Sequence, residues 1–355
     1  MPWKNITQTF FNEFVPYIEE SFLHPDSMDP YWQTPEGGSH YSNACNKCSI
    51  PIFLVTSFYD IYAGGVMDMW EKLSPERRKN CAFIVTPFDH GYYLAPSGLT
   101  EETQDFRDGL LSEILPDHFY TWFDHFRKGT KLPLGEKGKI TYYRLWDHKW
   151  IVADDLKNGP VEEVFYLTGA KTLEKEKPLE NEEVTYTYNP YDPAGFEGGV
   201  CHNFGGMKFQ DPPNSRHDIL SFLSPPFEKE RCCEGKIQLE LSCRSTAEDS
   251  CFYLRLNLVR NGKALPLRDD IDSLCRVEKE YSPTEERILK FTLPPHAFKI
   301  HKGDQLRLDI SSSCVPHFQV HTNRKGIQAL QETAVSCRNT VIAGKSFVKL
   351  FLLEE

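Results

Sequence analysis

The chain has 355 residues and a formal charge of −11, with 40 Lys and Arg against 51 Asp and Glu. Its hydrophobic and aromatic contents, 40% and 13%, are too high for a disordered chain, and its length is that of about two domains. The acidic balance argues against a nucleic-acid-binding protein, which needs a basic surface.

The first part of the chain is predicted to alternate helices with buried strands. Apolar runs with no polar alternation occupy 50–56 and 82–86, a pattern typical of strands buried on both faces of a parallel sheet. Apolar residues at near-helical spacing predict helices over 5–23, 66–73 and 101–128. A polar, Gly- and Ser-rich connection is expected over 24–49. This alternation predicts an α/β sheet.

After Gly129 the pattern changes to short strands separated by turns. Helical periodicity nearly disappears, and Pro, Gly, Asn and Asp turns punctuate the sequence. We predict strands over 140–145, 163–167, 237–241, 251–259, 305–310 and 347–352. Many short strands of this kind predict a β-sandwich or jelly roll, with a domain boundary near residue 130.

Two loops that directly follow the predicted parallel strands carry candidate catalytic residues. Asp60 lies in the loop 57–65 and His90 lies in the loop 86–91. Catalytic groups of open α/β sheets lie beyond the carboxyl ends of the strands. A carboxylate that orients an imidazole makes it a general base, and an acid that precedes the base in the chain is the order found in α/β-hydrolases.

The sequence around these two residues closely resembles the acid and base segments of the cocaine esterase and X-Pro dipeptidyl-peptidase family of serine hydrolases, the CocE/NonD type. The matching segments are Ile50-Pro51-Ile52, Phe58-Tyr59-Asp60-Ile61, Gly64-Gly65 and Thr86-Pro87-Phe88-Asp89-His90-Gly91. The family also includes acylases and α-amino-acid ester hydrolases. Further segments resemble its cap (24–32), its last hydrolase helix (122–129) and its jelly roll (189–199, 216–226 and 303–323).

The resemblance implies a division of the chain into three parts. Residues 1–49 would be a cap-domain remnant and linker. Residues 50–129 would be the C-terminal part of an α/β-hydrolase domain, and residues 130–355 a jelly-roll domain of the X-Pro dipeptidyl-peptidase C-terminal type.

The resemblance also implies roles for single residues. Asp60 and His90 would be the acid and base of a triad that hydrolyses an ester, an amide or an X-Pro peptide bond through an acyl-enzyme. Phe58 and Tyr59 would bind the substrate, with Phe58 in the wall of the acyl pocket. Since Phe58 stands where the family usually has Trp, and Ser57 where Gly is common, the acyl specificity stays open.

The nucleophile of this family is missing from the sequence. It belongs to a G-x-S-x-G elbow upstream of the cap, and no such motif occurs in the 355 residues. Ser39, in Gly37-Gly38-Ser39-His40-Tyr41, lacks the second Gly and follows no apolar strand, and Ser42 and Ser57 fit no better. We therefore expect a separate chain or a longer gene product to carry the serine. The alternative is an inactive remnant that acts as a jelly-roll binding module.

Two further interpretations are weaker. Trp146 and Trp150 could stack on a sugar bound to the jelly roll, but packing inside the sandwich is favoured. A metal hydrolase could use His90 with Asp89, but two side chains supply too few ligands. The other histidines suggest no ligand cluster and are expected at the surface or at strand ends: His118, His125, His148, His202, His217, His296, His301, His317 and His321.

The remaining features predict a cytoplasmic protein. No stretch approaches the roughly 20 apolar residues of a membrane helix, and the first residues carry no secretory signal. Eleven cysteines cannot all pair, so we expect free thiols, including Cys232 and Cys233 and the zinc-like pair Cys45 and Cys48, which has no second Cys-x2-Cys partner. No metal or organic cofactor is required. The expected partners are a small ester, amide or peptide substrate and a chain with the serine; no nucleic acid or membrane is expected.

Overall fold

Among the residues that the structure describes, four short helical segments precede the first strand. The computed structural model describes residues 6–26, 29–33, 44–90, 117–132, 135–202, 205–277 and 280–354. The segments are α1 (Ile6–Phe11), α2 (Pro16–Ser21), a 3₁₀ turn (Pro30–Gln33) and α3 (Ala44–Lys47).

The single helix predicted over 5–23 is wrong, because the chain breaks between α1 and α2. Asn12 has a φ of 52°, outside the helical region, and Pro16 begins the second helix, where a missing N–H costs nothing. The carboxylate of Glu19 accepts hydrogen bonds from the amide (2.8 Å) and the hydroxyl (2.6 Å) of Thr7. This buried contact holds the two helices together.

A four-stranded sheet with its helices follows. The elements are β1 (Phe53–Tyr59), α4 (Ala63–Lys72), α5 (Pro75–Arg78), β2 (Ala82–Asp89), α6 (Asp117–Lys128), β3 (Ile140–Arg144) and β4 (Lys149–Ala153). The strand order is β1-β2-β3-β4; the β1–β2 and β2–β3 pairs are parallel and the β3–β4 pair is antiparallel. Both predicted parallel strands are present. The part of the predicted helix 101–128 that precedes Asp117 lies outside the described residues.

The end of this sheet does not coincide with the boundary predicted near residue 130. β3 pairs with β2 through Phe83 opposite Ile140, and β4 extends the sheet to Ala153. The strand 140–145 is predicted to belong to the sandwich, because its residues alternate in polarity like those of the later strands. Its neighbour in space is nevertheless the parallel strand β2.

The rest of the chain forms a β-sandwich. The elements are β5 (Val161–Leu167), β6 (Leu173–Glu174), β7 (Glu183–Tyr188), β8 (Leu220–Leu223), β9 (Arg231–Ser245), β10 (Cys251–Arg260), β11 (Lys263–Ser273), α7 (Leu274–Val277), β12 (Arg287–Ile300), β13 (Gln305–Ser311), a 3₁₀ turn (Gln328–Leu330), β14 (Cys337–Ile342) and β15 (Phe347–Leu352). One sheet has the order β11-β10-β13-β8, and the other has the order β6-β5-β15-β9-β14-β7, with β12 also paired to β9.

Burial in the sandwich ranges from strict alternation in β7 to nearly complete burial in β10 and β13. In β7, Val184, Tyr186 and Tyr188 face inward while the residues between them are exposed. Full burial of a large apolar side chain contributes roughly 1.5–3 kcal/mol, so the many such side chains of the two sheets supply most of the stabilisation. Over the described residues the secondary structure is mostly β-strand, with few helices.

The first sheet is joined directly to the sandwich. Leu145, just after β3, donates its amide to the carbonyl of Ala297 (3.0 Å) and accepts from the amide of Lys299 (2.8 Å). The carboxylate of Glu234 on β9 accepts from the Tyr142 hydroxyl (2.8 Å) and from Nε of Arg144 (2.9 Å). These bonds fix the position of the sheet against the sandwich.

The cysteines in the described part of the chain are free thiols. All eleven cysteines lie there, and none of them forms a disulfide. Within the same residues, no helix has the length and apolarity that crossing a membrane requires.

The carboxyl group of Asp270 on β11 makes stability depend on pH. Burial raises the pKa of Asp270 to about 6, above the value of about 3.9 for an unfolded chain. The folded state therefore binds the proton more tightly, and this stability is fully present below about pH 4 and is lost as the pH rises through about 6. We expect Asp270→Asn to raise the free energy of unfolding at pH 7.5 by at most about 3 kcal/mol, and to change it little at pH 4.

Urea unfolding at the two pH values measures this effect. The matched control is Asp154→Asn, because Asp154 is an exposed carboxylate whose pKa is lowered by its hydrogen bond from Lys139. That control is expected to give no stabilisation. Equal stability of Asp270→Asn and the unaltered chain at pH 7.5 would contradict the prediction.

Candidate active site

Asp60 and His90 lie at the carboxyl ends of two neighbouring strands of the first sheet. β1 and β2 run parallel, with Tyr59 paired to Asp89, so both strands deliver the next residue to one place. The amide of Asp60 donates to the carbonyl of Ser57 (3.1 Å), which turns the chain at the end of β1. The strand-end placement expected from the sequence is therefore found.

The two side chains form a carboxylate–imidazole pair. His90 Nδ1 lies 3.0 Å from Oδ1 of Asp60, within the range expected for a hydrogen bond. The same carboxylate accepts from the amide of Tyr62 (2.9 Å) and from the hydroxyl of Thr56 (3.3 Å). Asp60 is buried, whereas 33% of the His90 side chain is exposed.

This geometry gives the imidazole a defined chemistry. A carboxylate only accepts hydrogen bonds, so Nδ1 of His90 carries the proton and Nε2 of the neutral ring keeps a lone pair. The bonds from Tyr62 and Thr56 hold the carboxylate still, and it therefore orients the ring. Such a ring can take a proton from a nucleophile and return it to a leaving group.

The predicted substrate contacts of Phe58 and Tyr59 do not fit their placement, because neither side chain has any exposed surface. The Phe58 ring packs against His296, with centroids 4.4 Å apart. The Tyr59 hydroxyl donates to the carbonyl of Pro266 (2.8 Å), and burial raises its pKa. Both rings fill the contact between the sheet and the sandwich.

A buried arginine of the sandwich holds the end of β1. Arg268 donates to the carbonyl of Phe58 and, at 2.7 Å, to the carbonyl of Pro295. Burial lowers its pKa to about 10. Burial, and then the charge of Arg268, lower the pKa of His296 well below its ordinary value, so His296 is neutral. Its buried position corrects the expectation of a surface or strand-end histidine.

His202 is a residue of this site that the sequence analysis missed. It belongs to the connection between β7 and β8, and its ring lies 4.4 Å from that of His90, tilted by 35°. Tyr62, in the turn after β1, contacts the same His90 ring edge-on, with ring centroids 5.0 Å apart. No motif marks His202, and only the approach of the sandwich loop to β2 brings it here.

The two alternative sites receive no support in the described ranges. No group of three or more His, Cys, Asp or Glu side chains there is arranged to hold a metal ion. Trp146 is buried and packs edge-on against Phe298 (6.4 Å), so it is not available to stack on a sugar. Trp150 is half-buried and packs against Tyr143 (5.4 Å).

Comparison with known protein families agrees with the family to which the sequence resemblance points. Residues 134–348 match the family of the X-Pro dipeptidyl-peptidase C-terminal non-catalytic domain. The match covers more than half of the chain, and the chain therefore belongs to this family. No curated protein matches the sequence.

Solved structures show the same fold at low sequence identity. An aminopeptidase from a marine sediment Thaumarchaeota archaeon matches with a TM-score of 0.81 at 16% identity, over 99% of this chain and 62% of that one. An α-amino acid ester hydrolase matches with a TM-score of 0.81 at 15% identity, over 99% and 63%. A CocE/NonD family hydrolase from Staphylococcus aureus matches with a TM-score of 0.61 at 12% identity, over 99% and 62%. The chain thus spans less than two thirds of the length of each.

Proposed function

We propose that this chain supplies the acid and the base of a serine acyl hydrolase, and that the nucleophilic serine lies outside these 355 residues. The observation that carries the proposal is the hydrogen bond between Asp60 and His90 at the carboxyl ends of two parallel strands. In this proposal β1, α4 and β2 belong to the C-terminal part of an α/β-hydrolase domain, residues 1–49 are a cap remnant, and the sandwich is a jelly roll.

The proposed chemistry is acyl transfer in two steps. His90 Nε2 takes the proton of the serine as its oxygen attacks the acyl carbonyl, and then gives this proton to the leaving alcohol or amine. A water molecule then attacks the acyl-enzyme while Nε2 takes one of its protons. The proton returns to the serine as the acid product leaves. Asp60 stabilises the imidazolium in both steps.

The open edge of the first sheet supports a missing neighbour. β1 pairs with β2 alone among the described residues, although its side chains are mostly buried, as in a central strand. A further strand beside β1, on the side away from β2, would place β1 inside the sheet rather than at its edge. The larger size of the matching structures supports a further segment of this kind.

Exposed aromatic side chains on the short helices point to the same missing segment. Phe10 and Phe11 of α1 and Tyr120 and Phe123 of α6 are each between 64% and 75% exposed. Large exposed apolar patches mark interaction surfaces in soluble proteins, and each of these two helices exposes two large rings. The segment that carries the serine is the occupant we propose for them.

Hydrolysis of p-nitrophenyl acetate and of X-Pro p-nitroanilides by two preparations tests the proposal. The 355-residue chain alone is expected to give no burst and no turnover. The same chain with the G-x-S-x-G-bearing polypeptide encoded upstream or elsewhere in its genome is expected to hydrolyse one of the two substrates. Its serine should react with a fluorophosphonate probe.

The comparison of the two substrates also decides between an esterase and a dipeptidyl-peptidase. Turnover by the combined preparation that survives His90→Ala would contradict the proposal, because the base would then lie elsewhere. Absence of turnover with every such polypeptide would contradict it as well.

A non-catalytic binding module is the second candidate, because the matched family is described as non-catalytic. The sandwich carries a cavity of about 780 Å³ whose lining includes Phe165, Lys175, Leu179, Pro226 and Phe227. A binding role predicts saturable affinity for a ligand of this cavity that His90→Ala leaves unchanged. Affinity that depends on His90 would instead favour the hydrolase.

A further inference from the structure

The ring of His90 is contacted from two different parts of the chain. Tyr62, two residues after Asp60, meets it edge-on, and His202, from the sandwich, lies against it with centroids 4.4 Å apart. Asp60, Tyr62 and His202 are thus titratable groups that face the ring. His202 is the one that the sheet itself does not supply.

The sheet holds the His202 loop, which is defined here as the described residues 198–202 and 205–206. The amide of Cys201 donates to the carbonyl of Tyr59, the last residue of β1 (3.2 Å). Gly205 lies so close to β2 that a Cβ at this position would be 3.1 Å from Cβ of Asp89, the residue before His90. The loop therefore contacts both strand ends that carry the pair.

The sandwich holds the same loop from the other side. Gly199 and Gly206 exchange two backbone hydrogen bonds of 2.8 and 2.9 Å, which close the base of the loop. The carbonyl of Gly198 accepts from the buried guanidinium of Arg255 (3.0 Å), and the amide of Val200 donates to Asp269 (3.3 Å). Gly199 has a φ of +82°, and a Cβ there would be 2.5 Å from Arg255, so a side chain is excluded.

We propose that His202 is a positioning residue for the base, through which the sandwich keeps the His90 ring against Asp60. A flat ring at this distance restricts rotation of the imidazole, so Nδ1 stays on the carboxylate and Nε2 stays directed to the open side. The inference rests on the proposed function of His90. In this inference, the sandwich helps to position the acid–base pair, although the matched family is described as a non-catalytic domain.

The tautomer of His90 measures this effect without activity. In the full 355-residue chain labelled with ¹⁵N-histidine, long-range ¹H–¹⁵N spectra at about pH 9 report the ratio of the Nδ1–H to the Nε2–H tautomer, because imidazole is neutral there. His202→Ala is expected to lower this ratio about three- to tenfold, the range for loss of one aromatic contact. His202→Phe, which keeps a flat ring, should restore it to within about twofold. His217→Ala, another exposed sandwich histidine, is the matched control and should leave the ratio unchanged.

Catalysis by the combined preparation gives the second readout. His202→Ala should lower kcat about three- to tenfold with KM unchanged, and His202→Phe should recover kcat. An unchanged tautomer ratio in His202→Ala would overturn the inference. A loss in His202→Phe as large as in His202→Ala would overturn it too, because the ring contact would not be the cause.

Asp60→Asn separates this inference from the proposed function. If Asp60→Asn lowers the Nδ1–H fraction and the His202 variants do not, the inference fails and the acid–base pair stands. If the unaltered chain lacks an Nδ1–H excess, the pair itself fails and the inference fails with it.

Discussion

Asp60→Asn is expected to lower kcat/KM of the serine-bearing assembly by about 10⁴-fold, the loss that follows replacement of a triad carboxylate by its amide. The amide can donate a hydrogen bond where the carboxylate only accepts, so Nδ1 of His90 can lose its proton to Nε2. The nitrogen that should take the serine's proton is then blocked. Initial rates with the better of the two chromogenic substrates measure the change.

The matched control for this loss is Asp68→Asn. Asp68 lies on α4, close in sequence to Asp60, and pairs with Lys72 on the exposed surface (3.3 Å). We expect activity within about twofold of the unaltered assembly, since exposed ion pairs contribute little. A loss below tenfold in Asp60→Asn would mean that Asp60 is not the acid of the reaction.

Asp269→Ala is expected to lower the free energy of unfolding by about 3–5 kcal/mol, because it leaves a buried guanidinium without its counter-charge. Arg255 is completely buried and donates to Asp269 (2.6 Å), to the Tyr253 hydroxyl (2.7 Å) and to the carbonyl of Glu197 (2.7 Å). Asp269 also accepts from Tyr253 (2.7 Å). Urea unfolding followed by tryptophan fluorescence measures the change.

Two further variants decide whether charge is the cause. Glu76→Ala removes an exposed ion pair with Lys79 and should cost less than about 0.5 kcal/mol. Arg255→Met combined with Asp269→Leu removes both charges and should recover much of the stability lost in Asp269→Ala. A double variant as unstable as the single one would show that the lost hydrogen bonds to the loop, rather than the unpaired charge, dominate.

The same variants are expected to affect the Asp60–His90 site through the His202 loop. Arg255 and Asp269 bond to Gly198 and Val200, so their loss frees the loop that carries His202. A change in the His90 tautomer ratio in the folded double variant is therefore expected in the same direction as in His202→Ala. This result would show that interactions inside the sandwich affect the pair formed by Asp60 and His90.

Local pattern was sufficient for the strands that place Asp60 and His90. Apolar runs such as 50–56 and 82–86 are too uniform for a half-exposed strand, and the structure pairs them as parallel strands. Residues that follow parallel neighbours must meet at one edge of the sheet. The distance between the two side chains was therefore predictable from the sequence, while their catalytic roles stay a prediction.

Prediction from the sequence was wrong where a local pattern does not determine the element's boundaries or its neighbour in space. The apolar residues over 5–23 have helical spacing, but the break at Asn12 and the proline at Pro16 divide the helix. The strand at 140–144 has the alternation of the sandwich strands, but it completes the parallel sheet. Periodicity reports which faces are buried and does not name the partner strand.

The β-rich fold, the family and the strand-end position of an Asp and a His were predictable from the sequence, because these follow from periodicity, order and short motifs. The burial of Phe58 and Tyr59, the contact of Arg268 with the end of β1 and the contact of His202 with His90 are features of the tertiary structure alone. Those contacts join residues more than 100 positions apart, such as Tyr59 with Pro266. Local sequence patterns do not show which distant loop will contact a given side chain in the folded protein.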